Sequence, residues 1–140
     1  MALTIADRQE FLAQPLIGAL AVTEKPGRAP LNLPIWYQYT PGGDLWILTG
    51  PESRKMRALE SAGRFSLMVQ VVEPSVRYVT VEGPITKVTV MTPEQHREMA
   101  ERYLPPAAVD EYLKFAESHG EQVAVYMTPE HWLSADMGSF

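Results

Sequence analysis

The feature that most constrains the fold is a succession of short β-type segments joined by turns that contain glycine and proline. Three such segments lie between Leu16 and Thr49, and their turns hold Pro26-Gly27 and Gly42-Gly43. From Arg64 to Val72 apolar side chains alternate, as they do in a strand with one buried face. Strands that follow one another through tight turns form an antiparallel meander.

A longer β-rich segment follows from Val76 to Val90, and Gly83-Pro84 interrupts it. Proline cannot donate to a sheet ladder, and glycine weakens a strand interior. We therefore expect a bend or bulge there, where the strand passes a barrel corner. The last strand is predicted at Gln122 to Thr128.

Helices are predicted in four places. The first three begin at the N-cap residues Thr4, Ser53 and Thr92. The four predicted helices span residues 4–15, 53–61, 92–103 and 107–118. The resulting order predicts a mainly β (α+β) fold: one antiparallel barrel of about six strands, with four helices flanking it, over residues 1–140 as a single domain.

The composition excludes several classes of function. The chain has no cysteine, and its three histidines fall on different predicted elements without metal-ligand spacing, so we expect no metal site. A net charge of -5 argues against nucleic acid as a partner. No apolar run reaches the roughly 20 residues of a membrane span, and no secretory signal is recognised, so we expect a cytoplasmic protein.

The start of the second helix carries the strongest chemical signal. Arg54 and Lys55 lie in its first turn, directly after the Ser53 cap, and cations there oppose the helix dipole. An anion on the free amides of this turn would reverse the effect, because the dipole, the hydroxyl and both cations would converge on it. The alternative is a solvated basic helix end, partly offset by Glu52 and Glu60.

The segment from Leu48 to Glu60 resembles the phosphate-binding strand and helix of the pyridoxamine 5′-phosphate oxidase-like split-barrel family. The segment 77–84 is similar to the long strand of that family, and 34–39 to its cofactor-facing strand. The match extends from about Leu16 to Val90, and Pro129 to Trp132 is also similar. Among members of the family, the chain most resembles the short flavin/deazaflavin oxidoreductases of actinobacteria, many of which use coenzyme F420.

The resemblance implies a split β-barrel that forms a homodimer and builds each cofactor cleft from both subunits. It also implies a cofactor site. The implied contacts to the phosphate are Thr49, Gly50, Ser53, Arg54 and Lys55, and those to the ring are Pro34, Ile35 and Trp36. The chain is much shorter than pyridoxamine-phosphate oxidases, and their C-terminal arginine segment is not recognisable, so their substrate is not expected.

The predicted activity is an F420H2-dependent reductase that transfers hydride to a small unsaturated or quinone-like molecule. Two alternatives stay open: an FMN-dependent oxidoreductase of the same fold, and a non-catalytic protein that binds a flavin-type cofactor or haem. The cofactor carries hydride chemistry, so no catalytic side chain is required. Tyr37, Tyr78 or solvent are the candidate proton donors. A basic rim for the F420 tail is one interpretation of Arg28, Arg57 and Lys87, and ordinary surface charge is the other.

Trp36 itself has two interpretations. Aromatic strand residues are more often part of a core than cofactor contacts, whereas the family resemblance favours a contact with the ring. Strand alternation places Trp36 and Gln38 on one face, and Tyr37 and Tyr39 on the other.

Overall fold

The computed structural model describes residues 1–140 and contains four helices and eight strands. The helices are α1 (Ile5–Leu12), α2 (Arg54–Ala62), α3 (Pro93–Tyr103) and α4 (Pro106–Glu117). The strands are β1 (Gly18–Val22), β2 (Leu31–Ile35), β3 (Tyr37–Tyr39), β4 (Leu45–Thr49), β5 (Arg64–Val71), β6 (Arg77–Val90), β7 (Val123–Met127) and β8 (His131–Asp136).

All strand pairs are antiparallel, as predicted, and form one strongly curled sheet in which β1 lies beside β5 and β4 beside β7, so the sheet is not a simple meander. The strand order is β2-β1-β5-β6-β7-β4-β3, and β8 pairs with β6 outside this path. The two ends of the sheet, β2 and β3, are consecutive in the chain and are separated only by Trp36. They do not pair with each other, so the barrel is split where the chain passes from one end of the sheet to the other. The prediction of an antiparallel split β-barrel with four flanking helices is confirmed.

The long strand β6 changes its neighbour at the predicted Gly83-Pro84 corner. Residues 77–82 pair with β8, whereas residues from Ile85 onward pair with β7 and include a register shift between Ile85 and Lys87. The link between β7 and β8 runs alongside β6 here, with the Thr128 amide donating to the Pro84 oxygen, and a Cβ atom on Gly83 would collide with the carbonyl oxygen of Thr128. Glycine is required because the two backbones approach closely.

The helix termini follow the N-cap signals. The hydroxyls of Thr4, Ser53 and Thr92 accept hydrogen bonds from backbone amides in the first turns of α1, α2 and α3. The helix α2 ends at Gly63, whose φ of 72° lies in the left-handed region. No helix is both long and apolar enough to cross a membrane.

The core is built from the inward faces of the strands together with α1 and α2. Phe11 and Leu12 from α1 and Met56 and Leu59 from α2 are buried in it. Tyr37 and Tyr39 are also buried, whereas Trp36 and Gln38 are partly exposed, as strand alternation predicts.

Two expectations about strands were wrong. The predicted strand from Leu31 to Thr40 divides at Trp36, because β2 pairs with β1 while β3 pairs with β4. Moreover, β8 was not predicted at all, so the sheet has eight strands in place of about six. Only one edge of β8 meets another strand, and Leu133 on it is exposed, which explains its weak apolar pattern.

Candidate functional site

The first turn of α2 follows β4 through the turn at residues 50–53, and two hydroxyls fix its geometry. Thr49 ends β4 and is 3% exposed, while Ser53 caps the helix and accepts a hydrogen bond of 3.0 Å from the amide of Met56. Their side-chain oxygens lie 3.0 Å apart. One hydroxyl donates to the other, so one hydroxyl hydrogen of the pair remains able to donate to a ligand. The amides of Arg54 and Lys55 have no acceptor one turn earlier in the helix.

The two cations of this turn have different environments. Arg54 forms a bidentate ion pair with Glu24, which follows β1. The Nε and Nη2 atoms of Arg54 each donate to one carboxylate oxygen of Glu24 at 2.7 Å. This hydrogen-bonded pair lowers the pKa of Glu24 and raises that of Arg54. Lys55 is half-buried and forms no ion pair, and burial lowers the pKa of its ammonium group. Lys55 is therefore the cation of the turn whose charge no side chain offsets.

A separate apolar cavity of about 310 Å³ lies at the break between β2 and β3. It is lined by Ile17, Pro34, Ile35, Trp36, Leu48, Met99, Tyr112 and Gln122. The three residues predicted to contact a ring therefore lie together in one cavity. Its remaining walls come from the residue before β1, from β4, from α3 and α4, and from the residue before β7.

One face of Trp36 is already covered in this cavity. Its indole stacks on Tyr103 with ring centroids 4.9 Å apart, and the centroid of the Tyr112 ring lies 5.6 Å away with its plane tilted by 42°. Sequence reasoning assigned no site role to Tyr103 or Tyr112. One sequence feature could have indicated such a role: Tyr103 and Tyr112 lie on two consecutive helices that are joined at Pro105-Pro106.

The residues predicted to contact the ring and those predicted to contact the phosphate adjoin one another at the end of β4. Leu48 lines the cavity, and the next residue, Thr49, begins the turn into α2. Thr49 also pairs with Val123, the neighbour of the lining residue Gln122. The phosphate residues predicted from the sequence do not themselves line the cavity. They adjoin it through the backbone of β4.

Arg54 instead lines a surface depression of about 390 Å³ on the flank of α2. Its charged lining residues are Glu24, Lys25, Arg54 and Arg57. The three residues of the predicted basic rim are distributed differently. Arg57 lies in this depression, Arg28 ends the turn that begins at Lys25, and Lys87 lies 4.2 Å from the ring centre of Tyr126. Lys25 is the basic residue here that sequence reasoning missed.

Tyr37 is excluded as a proton donor by its environment. It has no exposed surface, and its hydroxyl donates to the backbone oxygen of Leu12 at 2.7 Å. Burial raises the pKa of this phenol well above its ordinary value. Arg102 lies against the ring and bonds the backbone oxygens of Ala13 and Gln14, so this cluster joins α3 to the end of α1.

The split barrel with four flanking helices is one of the folds on which flavin-binding oxidoreductases are built. The sequence model of the pyridoxamine 5′-phosphate oxidase family matches residues 6–135, and the chain therefore belongs to this family. No curated protein is significantly similar to the chain in sequence.

Solved structures share the fold at low sequence identity. One is an F420 reductase, with 19% identity and a TM-score of 0.66, covering 89% of this chain and 94% of the reductase. A conserved hypothetical protein from Mycobacterium tuberculosis has 19% identity and a TM-score of 0.70, covering 97% of this chain and 86% of its own. An FAD-binding protein from Mesorhizobium loti has 16% identity and a TM-score of 0.64, covering 96% and 95%.

Proposed function

We propose that this protein is an F420H2-dependent reductase that binds the deazaflavin through its phosphate at the first turn of α2. The observation that carries the proposal is the half-buried ammonium of Lys55, which has no carboxylate partner. A partly desolvated cation at a helix N-terminus is unfavourable twice, through burial and through the helix dipole. A phosphate at this position offsets both effects.

The other groups of the turn fit the same ligand. The free amides of Arg54 and Lys55 and one hydroxyl hydrogen of the Thr49–Ser53 pair are donors, as phosphate oxygens require. Arg54 keeps donors beyond the two that Glu24 occupies, because a guanidinium has five N–H groups. Gly50 accepts from the Ser53 amide at 3.2 Å and so shapes the turn.

The apolar cavity fits the ring. When bound, the reduced deazaflavin supplies the hydride, and the protein has to orient the ring and exclude water. Pro34, Ile35 and Trp36 provide an apolar wall, and the stack on Tyr103 fixes the indole so that its orientation costs little entropy on binding. Leu48 at the end of β4 brings this wall next to the phosphate turn.

The proposal includes a homodimer in the cytoplasm and a small unsaturated or quinone-like hydride acceptor. The cavity shares Ile17 and Pro34 with a second depression of about 340 Å³ along β1, β2 and β5. A second copy placed against these strands would close the cavity from outside. The second candidate, an FMN-dependent oxidoreductase, is supported by membership of a family that binds flavin-type cofactors. A non-catalytic cofactor or haem carrier is the third.

Binding titrations with F420, FMN and haem in parallel test the assignment, and the Lys55→Ala variant tests the site. We expect F420 to bind most tightly and Lys55→Ala to weaken it by about 1.5–3 kcal/mol, the scale of a charge-assisted contact to a charged group. Arg54→Ala should have a smaller effect, because Glu24 already pairs with Arg54.

Lys114→Ala is the matched control, because it removes the same charge from the last turn of α4. Equal F420 affinities for the wild type, Lys55→Ala and Lys114→Ala would refute the phosphate site. Preferential binding of haem would refute the reductase assignment.

A further inference from the structure

The ion pair between Glu24 and Arg54 places a negative charge beside the phosphate turn. Glu24 belongs to the loop after β1, 30 residues before its partner. Its side chain is 21% exposed, whereas that of Arg54 is 67% exposed. The carboxylate is therefore the better fixed member, and Arg54 is drawn toward it.

The pair leaves Arg54 available to a ligand and adds a cost that depends on the ligand's charge. Two of the five guanidinium N–H groups point to Glu24, so the others can still donate to a phosphate oxygen. The Coulomb energy between Glu24 and the ligand is proportional to the product of their charges. Glu24 therefore opposes a doubly charged phosphate about twice as strongly as a singly charged one.

The two candidate cofactors differ in this property. The phosphate of FMN is a monoester, whose second ionisation near pH 6 gives it almost two negative charges at neutral pH. The phosphate of F420 is a diester, which carries one charge and has no second ionisation. We propose that Glu24, held beside the turn by its pair with Arg54, is a specificity-determining residue that shifts the selectivity of this site away from a phosphomonoester and toward a phosphodiester. This inference rests on the proposed function.

The neighbouring cations act in the opposite direction to Glu24. Lys25 and Arg57 line the same depression and attract a doubly charged phosphate more strongly than a singly charged one, so only the carboxylate of Glu24 shifts the selectivity of this depression toward the singly charged ligand. Arg54 lowers the pKa of Glu24 below its ordinary value, so the carboxylate stays ionised from pH 5 upward. Between pH 5 and pH 7.5 the charge that changes most is that of the FMN phosphate itself.

The test compares FMN with its phosphate monomethyl ester, a diester with the same ring and ribityl chain. Both are titrated into the wild type, Glu24→Gln and the charge-matched control Glu60→Gln, at pH 5.0 and pH 7.5. At pH 7.5 we expect Glu24→Gln to raise FMN affinity about two- to fivefold more than affinity for the methyl ester, the size of an exposed charge interaction. At pH 5.0, where FMN is also singly charged, this difference should disappear.

An equal gain for both ligands, or an equal gain for FMN at both pH values, would overturn the inference. The same selectivity change in Glu60→Gln would also overturn it, because the effect would then reflect net charge alone. Lys55→Ala separates this failure from failure of the proposed function. If Lys55→Ala weakens both ligands, the phosphate site stands whatever Glu24 does; if it weakens neither, the site and the inference both fall.

Discussion

Trp36 and Tyr103 stack almost in parallel, with ring centroids 4.9 Å apart and an angle of 13° between the ring planes. Trp36 occupies the break between β2 and β3, and Tyr103 is the last residue of α3. The Tyr103 hydroxyl accepts from the amide of Tyr37 at 3.1 Å and donates to the backbone oxygen of Leu16 at 2.8 Å. The Tyr103 side chain thus connects the end of α3 to the break between β2 and β3 and to the segment before β1.

Tyr103→Phe tests the hydroxyl and keeps the stack. The Tyr37 amide and the Leu16 oxygen would lose their partner in a partly buried place, so we expect unfolding in urea to require about 1–3 kcal/mol less free energy. Tyr112→Phe is the control, because Tyr112 contacts the same indole and its hydroxyl makes no hydrogen bond within the protein. Equal stability of the two variants would show that the hydroxyl of Tyr103 is dispensable.

Lys55→Met should stabilise the protein without cofactor while it removes phosphate binding. The pKa of Lys55 is lowered by burial, so the folded state disfavours the charged form, and this cost applies wherever the ammonium is protonated. Removing a cation from a helix first turn adds to the gain, and about 0.3–1 kcal/mol is expected in urea or thermal unfolding. Lys114→Met, in the last turn of α4, should have the opposite sign. A loss of stability in Lys55→Met would show that the charge of Lys55 is not unfavourable in the folded protein.

Ser53→Ala removes the cap of α2 and the partner of the buried Thr49 hydroxyl. Loss of an N-cap side chain costs about 1 kcal/mol, and an unpartnered Thr49 hydroxyl increases the cost. Adding Thr49→Val to Ser53→Ala should recover part of the loss, because no unpaired hydroxyl then remains. Thermal melts of the four proteins of this double-mutant cycle measure the coupling, and purely additive effects would exclude it.

Local signals in the sequence predicted the helices and most of the strands because the same residues determine where these elements begin and end. Cap hydroxyls such as Ser53 and turn glycines such as Gly42 act within a few residues of their position. The partition of 31–40 into β2 and β3 depends instead on two different strand neighbours, which no local pattern specifies.

In the candidate site, too, some features follow from local sequence and others depend on tertiary contacts. The chain order placed Arg54 and Lys55 in one turn, but only tertiary structure separates them, because Glu24 reaches Arg54 and leaves Lys55 unpaired. The cover of Trp36 by Tyr103 likewise joins residues far apart in the sequence. Such contacts arise from packing between elements and have no periodicity to detect.

His96 should make stability depend on pH in the weakly acidic range. Its Nε2 atom is buried without a hydrogen-bond partner, its ring meets Tyr112 edge-on, and burial lowers its pKa. As the pH falls below about 6.5, the unfolded chain takes up a proton that the folded protein resists, so the free energy of unfolding decreases toward the folded pKa. His96→Leu should flatten the profile, whereas His119→Leu, at an exposed position, should not. Identical profiles for the wild type and His96→Leu would exclude this role.

Gly83→Ala should be among the most damaging single substitutions in the barrel. The added methyl group would meet the carbonyl oxygen of Thr128 and lie 3.2 Å from the sulfur of Met127, where β6 exchanges β8 for β7. A backbone carbonyl cannot rotate away as a side chain can, so we expect a loss of about 3 kcal/mol or more in unfolding free energy. Gly63→Ala is the comparison, because φ is 72° and the space around it is open, so only conformational strain of about 1–2 kcal/mol applies. A smaller loss at Gly83 than at Gly63 would mean that β6 and the β7–β8 link can separate without cost, and the corner would not depend on their close approach.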